Sequence, residues 1–276
     1  MSDGKIIKVI FFGDIVGKPG RVAVRDFLQN NDTFKNYDFI IANIENASHG
    51  FGLTEKNYKD FLEYGVNAMT CGNHIWDKRD IYNYIDSADK LLRPINYPQG
   101  TRGVGSRIFD MGEFKIGVIN VLGRVFMNLV DSPWQMVKEE IERIKQITPI
   151  VVIDFHAEAT AEKICFGKFC SELGASAFWG THTHVQTADE NIINGMGYIT
   201  DAGFCGASDG VIGMDYQTSL ARFLTAIPER YEVAKGETTQ VNAVEVHIDS
   251  SSGKALSIKR IFCSRNNLEE ESGNED

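Results

Sequence analysis

Apolar runs alternate with amphipathic segments along the first two thirds of the chain. Near-continuous apolar runs are typical of strands buried on both faces of a sheet, and they lie at 6–12, 39–44, 67–71, 114–121, 149–155 and 175–179. Helical periodicity lies between them, at 19–28, 55–64, 78–87, 134–145 and 160–173. Pro19 suits the first turn of the first helix and Thr54 suits the N-cap of the second. This alternation predicts an α/β fold.

The pattern changes after about residue 195. Strands are predicted at 195–200, 243–248 and 258–262 with no helix between them, and two shorter, weaker strands are predicted at 91–93 and 107–109. The stretch 207–237 is irregular and is interpreted as a subdomain or an oligomer contact.

These elements predict two stacked mixed β-sheets flanked by helices, with the late strands completing the second sheet. We expect a single domain over residues 1–267. The acidic tail at 268–276 is expected to be disordered.

Composition narrows the class of protein. The chain has 276 residues, of which 43% are hydrophobic, which is enough for one large core. No apolar stretch approaches the roughly 20 residues that span a bilayer, and the N-terminus lacks the pattern of a signal peptide. A cytoplasmic protein is therefore expected. Its five cysteines are dispersed without a CxxC pair, which predicts neither a disulfide framework nor a cysteine zinc site.

The formal net charge is −10, which argues against a stable nucleic-acid complex because such binding depends on basic side chains. A small phosphate substrate remains compatible with this charge, since bound metal ions can dominate the local field.

Polar signatures stand at the ends of the apolar runs. Because the carboxyl ends of strands in an α/β sheet border one crevice, these side chains are expected to converge there. The signatures are Gly13-Asp14, Glu45-Asn46, Gly72-Asn73-His74, His156 and His182-Thr183-His184.

Each residue type in this set suits a metal centre. Carboxylates bind and bridge cations, imidazoles suit Zn, Fe and Mn, and an asparagine offers a carbonyl oxygen. His182 and His184 would point to one side of an extended segment. Two metals about 3.5–4 Å apart could clamp a phosphoryl group, and His74 would remain free to protonate a leaving oxygen.

Taken singly, these residues have simpler explanations. His156 could be a polar residue at a strand end, Asp14 a helix cap and Asn73 a turn residue. Their joint occurrence in this chain order favours the metal centre.

The same motifs resemble the calcineurin-like metallophosphoesterase superfamily and, more narrowly, its YmdB-like bacterial branch. The resemblance extends from Asp14 to about Asp215 and implies a four-layer sandwich of helices and sheets. It also implies phosphodiesterase activity on cyclic nucleotides such as 2',3'-cyclic AMP, and a homo-oligomer. The motifs that carry it are 13–21, 43–47, 72–77 and 180–189.

Two positions depart from the wider superfamily, and the YmdB-like branch shares both departures. Val16 stands where a histidine is usual, and Glu45 replaces the bridging aspartate. The resemblance implies that Glu45 is shared between two metals and that His74 is the proton donor. Asn46 either binds a metal or only orients a ligand. The implied ligand sets are Asp14, Glu45, Asn46 and His184 for one metal, and Glu45, Asn73, His156 and His182 for the other.

Two further features have open interpretations. Lys18 and Arg21 flank a helix start near Asp14, where they contact a substrate phosphate or only form a solvated helix end. The glycine-rich stretch 203–215 either shapes the pocket or only makes tight turns.

The predicted function is a dinuclear metal-dependent phosphodiesterase acting on cyclic nucleotides. Metal-bound hydroxide is expected to attack phosphorus while His74 protonates the departing ribose oxygen. Two alternatives remain open: a phosphomonoesterase or protein phosphatase using the same site, and a non-catalytic metal-binding regulatory protein. Fe, Mn and Zn all suit the ligands.

Overall fold

A computed structural model of the protein describes residues 4–29 and 33–266. In chain order, the strands of this part are β1 (Ile6–Phe12), β2 (Asp14–Ile15), β3 (Phe39–Asn43), β4 (Ala68–Thr70), β5 (Ser106–Asp110), β6 (Lys115–Leu122), β7 (Val151–His156), β8 (Ala177–Thr181), β9 (Asn191–Ile193), β10 (Met196–Ile199), β11 (Phe204–Ala207), β12 (Thr238–Asp249) and β13 (Ala255–Asn266). Its α-helices are α1 (Gly17–Gln29), α2 (Glu55–Glu63), α3 (Pro133–Lys145), α4 (Thr160–Glu172) and α5 (Tyr216–Thr225).

The strands form two mixed sheets. The first has the order β2-β11-β12-β1-β3-β4, with β13 antiparallel to β12. The second has the order β5-β6-β7-β8-β10-β9, and its four central strands are parallel. Parallel neighbours in both sheets place several strand ends on the same edge, and the candidate metal centre lies there.

Alternate residues of β1 explain how the layers pack. Ile7, Val9 and Phe11 belong to the core between the two sheets, where Phe11 stacks on Trp179 of the second sheet with ring centroids 4.5 Å apart. Ile10 instead packs outward, in the cluster that includes residues of α1 and α2. A third cluster joins the second sheet to α3 and α4. The layers therefore run helix, sheet, sheet, helix, and the predicted fold class is confirmed.

Local sequence accounts for the helix starts. The Thr54 side chain accepts a hydrogen bond from the amide of Asn57, which confirms it as the N-cap of α2. Pro133 opens α3 at a position where its missing N–H costs nothing.

Two predicted elements in the middle of the chain are wrong. The helix predicted at 78–87 is a pair of short 3₁₀ segments, Arg79–Asn83 and Ile85–Ser87. Ile81 and Tyr84 are both buried, and their spacing of three matches the three-residue turn of a 3₁₀ helix. The strand predicted at 91–93 contributes only one bridge, between Leu91 and Met69.

The late part of the chain needs a further correction. Of the predicted late strands, β10 joins the second sheet, whereas β12 and β13 join the first. Helix α5 lies between β11 and β12, in the stretch predicted to be irregular. The sequence did not predict β2, β9 and β11. Ser219 alone is buried in α5, so this helix lacks the apolar stripe that periodicity detects.

Two sequence predictions lie at the limits of the described residues. The acidic tail at 268–276 falls outside them, so the domain boundary at residue 267 stays a prediction. None of the described helices is long and apolar enough to cross a membrane.

Candidate metal centre

The predicted ligands meet where the two sheets face each other. The first sheet contributes five of the eight predicted residues from β2 and from the segments after β3 and β4, and the second contributes three from β7 and the segment after β8. They are Asp14, Glu45, Asn46, Asn73 and His74 from the first, and His156, His182 and His184 from the second.

His156 is the centre of one group. Its Nε2 atom lies 3.0 Å from Glu45 Oε1, 3.0 Å from Asn73 Oδ1 and 3.0 Å from His182 Nδ1. A single ring N–H cannot satisfy three neighbours. Atoms bound to one ion at about 2.0–2.1 Å are themselves separated by about 3 Å. The ligand atoms of Glu45, His156 and His182 all lie within 4.8 Å of one another, and this donor set fits a divalent cation.

A second group surrounds Asp14. His184 Nε2 lies 3.3 Å from the amide nitrogen of Asn46 and 3.9 Å from Asp14 Oδ1. Asp14 Oδ1 and Asn46 Oδ1 are both buried without a hydrogen-bond partner. Buried polar atoms are rarely left unpaired, so these two oxygens fit a second cation. Glu45 Oε1 accepts a hydrogen bond from Asn46, which places it between the groups.

One ring nitrogen of each predicted histidine ligand lies beside an oxygen atom that can accept its proton, through a hydrogen bond for His156 and His184 and an ion-pair contact for His182. The other nitrogen is then left as the atom able to bind a metal. The partners, at 3.0, 3.1 and 2.9 Å, are Thr181 Oγ1 for His156 Nδ1, Glu158 Oε2 for His182 Nε2 and the Ile212 carbonyl oxygen for His184 Nδ1.

Asp154 supports this arrangement and was not predicted. It accepts hydrogen bonds from Thr181, Thr70 and Asn43, and burial raises the pKa of its carboxyl to about 7. A carboxyl group inside the apolar run 149–155 was the available signal, because buried charge in a strand needs dedicated partners.

The loop that carries His182 and His184 is not extended, contrary to the spacing argument. Both residues adopt positive φ angles, 97° and 62°. This conformation is costly for non-glycine residues, and surrounding contacts hold it. Asp201 Oδ2 accepts hydrogen bonds from the Thr183 hydroxyl and backbone amide at 2.6 and 3.3 Å. The same oxygen lies 2.6 Å from Lys163 Nζ in a fully buried ion pair.

Close packing explains why a glycine stands at the start of the Gly72-Asn73-His74 motif. A Cβ atom at Gly72 would lie 2.2 Å from the His156 ring, so a side chain there would displace the imidazole. Gly13 similarly allows close approach, since a Cβ atom would lie 2.1 Å from the Gly203 carbonyl oxygen.

His74 borders the same centre without joining either group. Its amide donates to Glu45 Oε2 at 2.9 Å, and its Nδ1 lies 2.8 Å from Asp77 Oδ2, leaving Nε2 for other chemistry. It lines a cavity of about 380 Å³ together with Glu45, Asn46, Phe51, Glu158, His182, Thr183, His184, Ile212, Met214 and Tyr231.

The electrostatics of the site favour a negative charge on Glu45 and a positive charge on His156, whereas they oppose a charge on His182. Burial opposes the charged form of Glu45, yet His156 and His74 lower its pKa to about 2. Burial likewise opposes the charged form of His156, but Glu45 and Asp14 raise its pKa to about 9. Burial and the neighbouring charge of His156 lower the pKa of His182 to about 3. Burial raises the pKa of Asp14.

The remaining predicted residues, Lys18 and Arg21, are not among those that line this cavity. Arg21 donates to the carbonyl oxygen of Ala47, and Lys18 is exposed and lines a neighbouring cavity of about 790 Å³. Their assignment to a substrate phosphate stays a prediction. The glycine-rich stretch contacts the site directly, because the Phe204 ring stacks on His184 with centroids 5.5 Å apart. Ile212 and Met214 also line the cavity.

A family model described as YmdB-like protein matches residues 10–261. The chain belongs to the YmdB-like family. It is 44% identical over 257 residues to the 2',3'-cyclic-nucleotide 2'-phosphodiesterase of Bacillus subtilis, covering 93% of this chain and 97% of that protein.

Two solved structures share the fold. A novel phosphatase from Mycoplasma pneumoniae has a TM-score of 0.88 and 32% identity, covering 98% of this chain and 97% of that one. A hypothetical protein from Thermus thermophilus has a TM-score of 0.87 and 35% identity, covering 94% and 100%. The predictions of family, fold and a hydrolase of the metallophosphoesterase type are confirmed. The alternative of a non-catalytic protein is accordingly set aside.

Proposed function

We propose that this YmdB-like chain is a two-metal phosphodiesterase that hydrolyses 2',3'-cyclic nucleotides. The observation that carries the proposal is the convergence of three potential ligand atoms, each 3.0 Å from His156 Nε2. The 44% identity to a relative named for this reaction supports the substrate class. Assembly into a homo-oligomer stays a prediction.

The residues divide into two ligand sets with Glu45 in common. Glu45, Asn73, His156 and His182 would hold one ion, and Asp14, Glu45, Asn46 and His184 the other. Bound there, two divalent ions supply Lewis-acid chemistry that neutralises phosphoryl oxygens and activates a water molecule. Mixed nitrogen and oxygen ligation suits Fe, Mn and Zn.

His74 completes the chemistry from the cavity side. Because Asp77 accepts from Nδ1, Nε2 is the atom able to transfer a proton. As water adds to phosphorus and gives up a proton to the solvent, the bond from phosphorus to the ribose oxygen breaks. The imidazolium form of His74 donates its Nε2 proton to that departing oxygen and becomes neutral. The product is a nucleoside monophosphate.

The test is to remove bound metal from the protein with a chelator, add back Mn²⁺, Fe²⁺ or Zn²⁺, and measure hydrolysis of 2',3'-cyclic AMP. The His74→Ala variant should lose roughly 10²–10⁴-fold in kcat with its metal content unchanged. His247→Ala, on β12 and outside the cavity lining, is the matched control. Failure of every metal to restore hydrolysis would overturn the proposal, and full activity in His74→Ala would remove its assigned role.

A phosphomonoesterase on the same site is the second candidate, because the solved relative from Mycoplasma pneumoniae is called a phosphatase. Comparing kcat/KM for 2',3'-cyclic AMP with that for p-nitrophenyl phosphate separates the two. A preference for the monoester would favour the second candidate.

A further inference from the structure

The cavity beside the candidate metal centre has two chemically different walls. We call the eight predicted metal-site residues, Asp14, Glu45, Asn46, Asn73, His74, His156, His182 and His184, the ligand wall. Five of them, Glu45, Asn46, His74, His182 and His184, line the cavity itself, and the other three complete the candidate metal centre. Phe51, Ile212, Met214 and Tyr231 form the apolar wall. The cavity volume of about 380 Å³ is within the range of about 300–1,000 Å³ found for small-molecule sites. The proposed reaction uses only the ligand wall, so the apolar wall is left without a role.

An aromatic ring of the apolar wall is in contact with His74, the proposed proton donor. The Phe51 ring contacts His74 edge-on with centroids 4.8 Å apart, and the Tyr231 ring is tilted against Phe51 at 6.5 Å. The Arg222 guanidinium lies 4.0 Å from the centroid of the Tyr231 ring, a cation–π contact that holds the ring in place. The two aromatic residues are only partly buried, so ring surface remains for a ligand.

Resting on the proposed function, we infer that the apolar wall is the nucleobase subsite and that Tyr231 and Phe51 provide its stacking surface. With the phosphate held at the ligand wall, the ribose and base extend along the cavity. A flat, weakly polar base gains most from aromatic rings, and such stacking tolerates any base because every base has a π-face.

The composition of the wall also predicts how selective the subsite is. Among its four side chains, only the Tyr231 hydroxyl can form a strong hydrogen bond. Tyr231 also lines the neighbouring larger cavity. We expect the far edge of a purine stacked on this ring to extend toward that cavity. The subsite should therefore favour purines over pyrimidines by stacking area and discriminate little between adenine and guanine.

A purely structural role is the competing explanation. Phe51 and Tyr231 pack against the small buried cluster of Val16, Phe204 and Met214, so they could only close the core at this point. The two roles differ in one respect. Stacking changes the binding of ligands that carry a base, whereas packing changes stability and acts equally on every substrate.

The deciding experiment uses a matched pair of substrates: 2',3'-cyclic AMP and methyl ribofuranoside 2',3'-cyclic phosphate, which lacks the base. Tyr231→Leu should raise KM for the first roughly 5–100-fold, with kcat changed little and KM for the second unchanged. Arg222→Met should act in the same direction more weakly, and Tyr231→Phe should behave as wild type. Tyr216→Leu, an exposed position on α5 outside the cavity lining, is the control.

Equal changes for both substrates, or none for either, would overturn the subsite while leaving the proposed function intact. If the wild-type protein hydrolyses neither diester, the proposed function fails, and calorimetric binding of adenosine 3'-monophosphate decides the subsite instead. Weaker binding to Tyr231→Leu than to wild type and to Tyr216→Leu would support it, and equal binding to all three would overturn it.

Discussion

The two walls of the cavity are built in different ways. Every residue of the ligand wall lies in a strand or within four residues of a strand end, so two sheets fix its position. The apolar wall comes from irregular segments: a turn after β3, and the two segments that flank α5 between β11 and β12. In the proposed function, the groups that require fixed geometry are therefore held in strands or directly after them, and the contacts that would set substrate choice are on loops.

This contrast between the two walls gives a general prediction that experiments can test. Changes in the ligand wall, or in residues that hold it, should lower turnover of every phosphodiester alike. Changes in the apolar wall should alter the choice between substrates. The following predictions test the first half, from the largest expected effect to the smallest.

Glu45→Gln should have the largest effect, because it removes the one carboxylate assigned to both ions. We expect kcat to fall on the order of 10³-fold or more for 2',3'-cyclic AMP and for bis-p-nitrophenyl phosphate, as expected when several kcal/mol of charge stabilisation is lost. Elemental analysis should show reduced metal content. Glu63→Gln, at an exposed position of α2, is the control. A loss confined to one substrate would contradict the contrast between the walls.

Asp201→Asn should weaken metal binding indirectly. Asp201 touches no predicted ligand side chain but anchors Thr183 between the two histidines. Loss of such support typically lowers metal affinity about 10–100-fold. Because the change also leaves Lys163 buried without its ionised partner, Thr183→Ala is the gentler companion variant and should show a smaller loss. Calorimetric titration with Mn²⁺ measures both, and unchanged affinity in both would show that the ion pair has no positioning role.

Metal affinity should depend on pH through His156. Its pKa of about 9 in the metal-free protein means that its imidazole is protonated at neutral pH, and a metal ion must displace that proton. Affinity should therefore rise with pH by up to about tenfold per unit below pH 9 and then level off. Titrations in buffers of different ionisation enthalpy should reveal the released proton, and its absence would show that His156 is not a ligand.

Asp77→Asn should have the smallest effect of the four. Asp77 contacts His74 through Nδ1 but is itself partly exposed, so water can replace part of its role. We expect kcat to fall roughly three- to tenfold, about 1 kcal/mol, with metal content unchanged. A loss of metal in this variant would mean that Asp77 supports the ligands rather than the proton donor.

The sequence predicted the ligand wall because two strong signals coincide there. A strand that is largely buried appears as a nearly continuous apolar run, and a polar residue at its end is conspicuous. For β1, the run 6–12 matches the strand itself. For β7, the run leads directly to His156 as the last strand residue.

The sequence could not predict features that depend on contacts between distant residues. The left-handed backbone of His182 and His184 depends on Asp201, which lies beyond β8, β9 and β10 along the chain. The short strand β11 offers too few residues for alternation, and α5 buries too little to show a stripe. The apolar wall depends on these regions, so its location could be read only from the structure.

The division of the ligand wall between the two sheets has a consequence for thermal stability. Glu45 of one layer meets His156 of the other, and Asp14 accepts a hydrogen bond from the amide of His182 across the same junction. Cations bound there would connect the two sheets and stabilise their packing. The melting temperature should then rise with the concentration of free metal. At 100 times the dissociation constant, each site should add about 2.7 kcal/mol to the free energy of unfolding. Scarcity of metal in the cell would thus lower the lifetime of the protein as well as its catalytic rate.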